Sequence, residues 1–246
     1  MALIEKQGLV PGRILKRYKR FLVDVELADG SIVVAHCTNT GAMTTCWEPG
    51  DPVLLEPAKN LERKLKFTWV ACCRAGAWIG VETGIPNKVV AEAARRNVLP
   101  GLPGLRDVRT EMKYGVENSR IDVWALDAQG REVYIEVKNT TLKIDDSACF
   151  PDAVTSRGLK HLRELQGMVQ QGHRAAIAFF VHREDVSAFD AARDVDPVYA
   201  RELEAALSGG VELLPVKVRM EVGEGRPGGW TLGWSLTGLL PWVRRI

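Results

Sequence analysis

Between Arg120 and Lys138 the chain reads Arg-Ile-Asp-Val-Trp-Ala-Leu-Asp-Ala-Gln-Gly-Arg-Glu-Val-Tyr-Ile-Glu-Val-Lys, and within it Asp122, Glu136 and Lys138 are the residues that could do chemistry. Two runs rich in β-branched and aromatic residues flank Asp127-Ala128-Gln129-Gly130, a turn signal with glycine where a three-residue hairpin loop needs a positive φ. With Asp127 facing Arg131, Ile121 meets Val137, Val123 meets Ile135 and Ala125 meets Val133. One face is then apolar throughout and belongs on the core. On the other face Asp122 meets Glu136, between the pair Arg120 and Lys138 and the pair Trp124 and Tyr134. Opposed carboxylates lie about 5 Å apart at Cβ and repel. At an effective dielectric near 20 the repulsion is on the order of 3 kcal/mol, large against a net stability of roughly 5–15 kcal/mol.

A divalent cation between Asp122 and Glu136 would offset that repulsion. A site with few protein oxygens suits Mg²⁺, with Mn²⁺ as its substitute, because Mg²⁺ keeps several waters for a substrate phosphate and a nucleophile. Lys138 follows Glu136 by two and emerges on the same face. There it could polarise or deprotonate a water, or neutralise charge developing on phosphorus. The plainer alternative is a solvated strand face on which Arg120 and Lys138 make ordinary diagonal ion pairs.

The rest of the chain must position this hairpin. Its 246 residues suffice for one large domain or two small ones, and 46% hydrophobic with 26% charged residues is an ordinary globular composition. A net charge of +2 excludes a general polycation, so nucleic-acid binding would use local patches. No run of about eighteen apolar residues occurs, and Met-Ala-Leu-Ile-Glu-Lys lacks a signal peptide's apolar core, so a cytoplasmic protein without a membrane partner is expected. Cys37, Cys46, Cys72, Cys73 and Cys149 show no C-x-x-C spacing. A zinc site can be drawn from His36 and four of these thiols, but buried reduced thiols are the simpler reading.

Residues 1–85 read as short strands: Gly12 to Arg20, Phe21 to Ala28, Ser31 to Cys37, Pro52 to Glu56, Phe67 to Arg74 and Ala77 to Thr83. That number of strands in this length predicts a small barrel of OB type. Arg13, Lys16, Arg17, Lys19 and Arg20, with Tyr18 and Phe21 among them, could track a phosphate backbone while rings stack on bases. A charge-protected edge strand would look similar. Arg63 and Lys64 form a second basic stretch, and His36 to Met43 a polar contact loop.

Helical periodicity begins at Lys88 to Asn97, with Asn87 as N-cap, Pro100-Gly101 as stop and Glu92 projecting. A strand is predicted near Val108 to Tyr114, then the hairpin, then a polar loop from Asn139 to Phe150. Thr155 caps a helix whose apolar side carries Leu159, Leu162 and Leu165. Arg157, Lys160, His161 and Glu164 share its polar stripe, the first two near an N-terminus that favours anions. Ala175 to Val181 reads as a strand buried on both faces. A helix from Pro197 to Leu207, a strand from Val211 to Met220 and a last edge strand, Trp230 to Leu236, complete the order.

That α-β-β-β-α-β-α-β order around Asp122 and Glu136-Val-Lys138 resembles the PD-(D/E)XK nuclease core. Ser119-Arg-Ile-Asp122, Tyr134-Ile-Glu-Val-Lys138 and Phe150-Pro-Asp-Ala-Val-Thr-Ser-Arg-Gly-Leu-Lys-His-Leu-Arg-Glu-Leu165, with Arg17-Tyr-Lys-Arg-Phe21 and Asn39-Thr-Gly-Ala-Met43, resemble the sugar fermentation stimulation protein A family over nearly the whole chain. The resemblance implies an OB-like domain over 1–85, a restriction-endonuclease-like α/β domain with a central mixed sheet over 86–246, and association with DNA, single-stranded or at duplex ends. It implies metal binding by Asp122 and Glu136, a catalytic Lys138, and Glu92 as the further acid, with Glu111 and Glu117 as competitors. Arg120, Arg157, Lys160 and His161 would lie along the substrate groove. The proline of the nuclease signature is replaced by Ile121. The expected activity is Mg²⁺-dependent phosphodiester hydrolysis. A DNA-binding regulator of sugar-utilisation genes that keeps the fold without the chemistry is the alternative, and a homodimer is compatible with either.

Overall fold

The computed structural model describes residues 1–115, 119–225 and 229–244. Strands β1 (Ile4–Tyr18), β2 (Leu22–Leu27), β3 (Ile32–His36), β4 (Pro52–Pro57), β5 (Phe67–Arg74) and β6 (Ala77–Gly80) precede helix α1 (Ile85–Arg95). Then come β7 (Arg106–Tyr114), β8 (Ser119–Leu126), β9 (Glu132–Thr140), β10 (Leu142–Ile144), β11 (Ser147–Phe150) and α2 (Ser156–Gln170). The chain ends with β12 (Arg174–Val181), β13 (Ala188–Ala191), α3 (Pro197–Ser208), β14 (Glu212–Gly225) and β15 (Gly229–Leu239).

The alternation of the first segment closes a five-stranded barrel. β1 pairs with β2, β2 with β3, β3 in parallel with β5, β5 with β4, and β4 again with β1. This is the OB arrangement, and closure removes the free edges. Ile14, Val23, Val25, Leu55 and Trp69 fill the interior. Cys37, Cys46 and Cys72 are packed among them, and burial pushes the Cys46 thiol up to about 11, which keeps it protonated.

β1 begins earlier than the expected Gly12. Its first residues, Ile4 to Leu9, pair with β15, so barrel and C-terminal sheet are joined through one strand. β15, expected at an edge, is therefore interior, and its Trp234 is wholly buried. From β15 the sheet continues through β14, β12, β9 and β8 to β7 at the free edge. β9, β12 and β14 run parallel, and the remaining pairs of this half are antiparallel.

α1 covers one face and α2 with α3 the other. Ala176, Ala178 and Phe180 of β12 pack into the α1 layer, whereas Ile177, Phe179 and Val181 pack into the α2 and α3 layer. This is the two-sided burial read from the apolar run, and each large side chain contributes roughly 1.5–3 kcal/mol. Thr155 caps α2 by accepting from Gly158 N at 3.0 Å, and Asp196 caps α3 by accepting from Tyr199 N at 2.9 Å.

Two further expectations are corrected. α1 starts at Ile85 after Gly84, because Pro86 in the first turn is preorganised for helix; Asn87 is inside the helix and does not cap it. The polar stretch after Lys138 is not a loop, since β9 continues to Thr140 and β10 and β11 form a hairpin that pairs with β13. Strands of three and four residues are too short to show a period. Among the described residues no helix is long and apolar enough to cross a membrane.

Candidate active site

The hairpin register is the one read from the turn. Val123 pairs with Ile135, Trp124 with Tyr134 and Ala125 with Val133. Asp127 closes the loop, its Oδ1 accepting from the backbone N of Gln129 and of Arg131, both at 2.9 Å. Gly130 has φ +80°, the conformation for which glycine was expected.

Beyond Val123 the strands part, and side chains take over. Asp122 Oδ2 accepts from Val137 N at 2.7 Å, the donor a continued ladder would have used. Asp122 Oδ1 accepts from Asn87 Nδ2 of α1 at 2.6 Å. The pleat reverses here as well. Val123 packs in the α1 layer, but Ile121, two residues away, packs in the α2 layer with its partner Met112. Ile121 is therefore not on the face expected from alternation. The reversal on β7 is at Glu111, which has φ +58°, a left-handed conformation costing a non-glycine residue roughly 1–2 kcal/mol.

Glu136 lies on the α2 side, 2% exposed. Its Oε1 accepts from Lys138 Nζ at 2.6 Å and contacts His161 Nδ1. Arg157 Nε donates to His161 Nε2 at 3.3 Å, which assigns the proton to Nδ1 and makes that nitrogen the donor to Glu136. Glu136 Oε2 is buried with no partner among the described residues. Burial pushes the Glu136 carboxyl up, but Lys138 and His161 outweigh it and hold the group below the usual range. Asp122 goes the other way. Burial and then the charge of Glu136 push it up to about 6, against the lowering by the Val137 hydrogen bond and Lys138. The charge of Glu136 reaches Asp122, but the expected cross-strand pairs Ile121–Val137 and Asp122–Glu136 do not form: the ladder ends at Val123 with Ile135, and the two carboxylates take partners in opposite layers.

Asp122 stands where two clefts meet. One, about 370 Å³, is lined by Arg120, Arg157, Lys160 and His161 with Glu111. The other opens on the α1 side, sharing only Glu111 and Asp122 with the first. Arg120 Nη1 donates to Glu111 O at 2.9 Å, and Arg157 is exposed. His161, expected on a surface stripe, is only 5% exposed and serves Glu136. Glu92 lines the α1 cleft, with its carboxylate 2.7 Å from Arg96 Nε. Glu111 lies at both clefts and its charge raises Asp122. Glu117 lies outside the described residues.

The barrel cations divide. Arg17 is turned inward, donating to the carbonyls of Asn39 and Gly41 at 2.9 Å each. Arg13 donates to Gly50 O at 3.0 Å, Arg63 to Thr68 Oγ1 at 2.9 Å, and Tyr18 to Asp24 Oδ1 at 2.9 Å. Lys16 is 3.2 Å from Asp24 but largely exposed, and Lys19, Arg20 and Lys64 are exposed. Sequence reasoning missed Asn87 as the partner of Asp122. It also missed Tyr114, whose buried hydroxyl has no hydrogen-bond partner among the described residues and is held protonated by burial and by Glu136, Glu164 and Asp122. Nothing in the local sequence of either marks the role.

Comparison with known proteins agrees with this architecture. A family model described as the sugar fermentation stimulation protein RE domain matches residues 84–224, and one described as the SfsA N-terminal OB domain matches residues 15–81. A sugar fermentation stimulation protein homolog of Geotalea uraniireducens is 46% identical over 212 residues, 86% of this chain and 91% of the relative. One from Rhodospirillum rubrum is 50% identical over 216 residues, 83% of this chain and 88% of the relative. The structure of Pyrococcus furiosus SfsA in complex with Ca²⁺ is similar with a TM-score of 0.81 at 27% identity, covering 99% of this chain and 100% of that one.

Proposed function

The chain belongs to the sugar fermentation stimulation protein family, and from that premise we propose that it binds DNA and hydrolyses phosphodiester bonds with a divalent cation, Mg²⁺ or Mn²⁺, held by Asp122 and Glu136. The observation that carries this reading is a half-buried Asp122 and a buried Glu136 with one unpaired oxygen among the described residues, beside a lysine. Glu136 Oε2 lacks a partner among the described residues and Asp122 is pushed up to about 6, so the donor set fits a hard cation. The relative from Pyrococcus furiosus was solved with Ca²⁺, which also seeks oxygen ligands. When bound, the ion would act as a Lewis acid and lower the pKa of a water.

The chain's own residues supply the rest. Asn87 and the Val137 N–H fix the Asp122 carboxylate, and His161 fixes Glu136. Lys138 puts a cation beside the place where phosphoryl oxygens gain charge. Arg120, Arg157 and Lys160 line the cleft for phosphates, and the exposed Lys16, Lys19, Arg20 and Lys64 suit a backbone track on the barrel.

One observation favours a non-catalytic DNA-binding regulator of sugar-utilisation genes. Lys138 and His161 already occupy Glu136 Oε1, and among the described residues no three His, Cys, Asp or Glu side chains are grouped to hold a metal. The test is incubation with single- and double-stranded DNA in Mg²⁺, Mn²⁺ or EDTA, alongside Lys138→Ala and Asp122→Asn. Metal-dependent cleavage lost in both variants is the expected result. Binding without cleavage under every metal selects the regulator.

A further inference from the structure

The cleft on the α1 side of Asp122 has a volume of about 480 Å³. Its wall at Ile4 and Ala91 is apolar, Lys88 and Arg95 stand on it, and Thr110 of β7 faces them. Lys88 is exposed and has no ion-pair partner among the described residues. Arg95 is only loosely tied, with Nη1 3.8 Å from Glu92. The two clefts are served by opposite layers, one by α1 and the other by α2, and they meet at Asp122 and Glu111 near the free edge of the sheet.

A chain of phosphates passing from Arg120 and Arg157 across Asp122 must therefore turn around the free β7 edge of the sheet. A stiff duplex cannot follow that path, whereas one strand can. Nor does a base pair with both backbones fit a cavity of this volume. Glu92 and Glu111 in the walls repel phosphate from the floor. What suits the floor is a base, laid against Ile4 and Ala91, while its phosphate stays at Lys88 and Arg95.

We propose that the α1-side cleft is a nucleotide site that holds one unstacked nucleotide of a single strand next to the phosphate at Asp122. The substrate class is then single-stranded DNA or a frayed end. Unpairing costs a few kcal/mol in a duplex and least where the strand is already single, which makes this cleft a selector. The inference rests on the nuclease reading only in placing the reacting phosphate at Asp122.

The test uses the ¹⁵N-labelled full-length protein in EDTA, titrated with dAMP and followed by backbone amide shifts. The expected result is movement at Asn87, Lys88, Ala91 and Thr110, with affinity falling at least about tenfold in Thr110→Trp, which fills the cleft from an exposed position, and in Lys88→Glu. Shifts confined to the barrel or to the α2-side cleft, or affinity unchanged in both folded variants, overturn it. No metal or cleavage enters the measurement. A protein that binds dAMP here but cuts nothing keeps the nucleotide site and loses the nuclease reading; one that cuts without binding dAMP here does the reverse.

Discussion

Replacing Lys138 by methionine keeps the apolar stem and removes the ammonium that lies 2.6 Å from Glu136 Oε1. The side chains are 12% and 3% exposed, so water screens the pair little. Breaking such a pair by removing one member costs about 3–5 kcal/mol, because the remaining charge is left buried. His161 still donates to the same oxygen, which places the expected loss near the lower end, about 3 kcal/mol in EDTA. Urea unfolding followed by tryptophan fluorescence reads this directly. The same experiment in Mg²⁺ tests the proposed cation site without any assay of cleavage. In the wild type an added cation competes with the ammonium, and in the variant it does not. Mg²⁺ is therefore expected to stabilise Lys138→Met more than the wild type, by up to about 2.7 kcal/mol at a hundred times the dissociation constant. A loss below about 0.5 kcal/mol in EDTA would show that the pair does not hold Glu136. An equal Mg²⁺ increment in both proteins would remove the ion from this position.

Three further outcomes follow from other parts of the fold. His182 is buried with neither ring nitrogen hydrogen-bonded among the described residues, and burial followed by the charge of Arg183 pushes it down to about 3. A histidine whose folded pKa lies below its unfolded value stabilises fully above about pH 6.5 and loses that contribution as pH falls toward the folded value, at up to about 1.4 kcal/mol per unit. His182→Leu is expected to lack that slope between about pH 6.5 and 5, and identical slopes in urea unfolding would refute the assignment. A Cβ on Gly80 would overlap the His182 ring, so Gly80→Ala is expected to cost about 1–3 kcal/mol, with His182→Ala restoring part of it in a double-mutant cycle. Arg17→Ala removes the donor to Asn39, Gly41 and Ala42 carbonyls, and faster amide exchange over residues 39–43 with a loss of about 2 kcal/mol is expected. Because Arg17 is turned inward, that variant should change the salt slope of the proposed DNA binding less than Lys19→Ala does; the opposite order would make Arg17 a phosphate contact.

Where local chemistry determines local structure, the chain was readable. The turn at Asp127 to Gly130 needs one carboxylate and one positive φ, both supplied by the sequence, and it fixes the pairing of Val123 with Ile135. Thr155 caps α2 through its own oxygen, and β12 is apolar on both faces because helices cover both. Alternation failed at Ile121 because the pleat reverses between it and Val123, and nothing in a two-residue period encodes a strained φ at Glu111 on the neighbouring strand. The short amide of Asn87 suits a cap in sequence. Pro86 starts the helix earlier and frees the amide for Asp122, a partner 35 residues away.

The reversal at Ile121 and the contact from Asn87 meet at Asp122, and this bears on function. A regular hairpin would leave Asp122 and Glu136 facing each other on one side of the sheet, with every backbone donor used in the ladder. The reversal instead gives Asp122 an unspent N–H from Val137, turns it to a partner in the α1 layer, and leaves Glu136 with partners in the α2 layer. A carboxylate at the junction of two layers can be reached from the clefts on both sides, which one on a flat face cannot. The cost is the left-handed backbone at Glu111, roughly 1–2 kcal/mol, and the burial and then the repulsion from Glu136 that keep Asp122 pushed up to about 6. A fold under no functional demand could relieve both by a glycine at one position and an asparagine at the other.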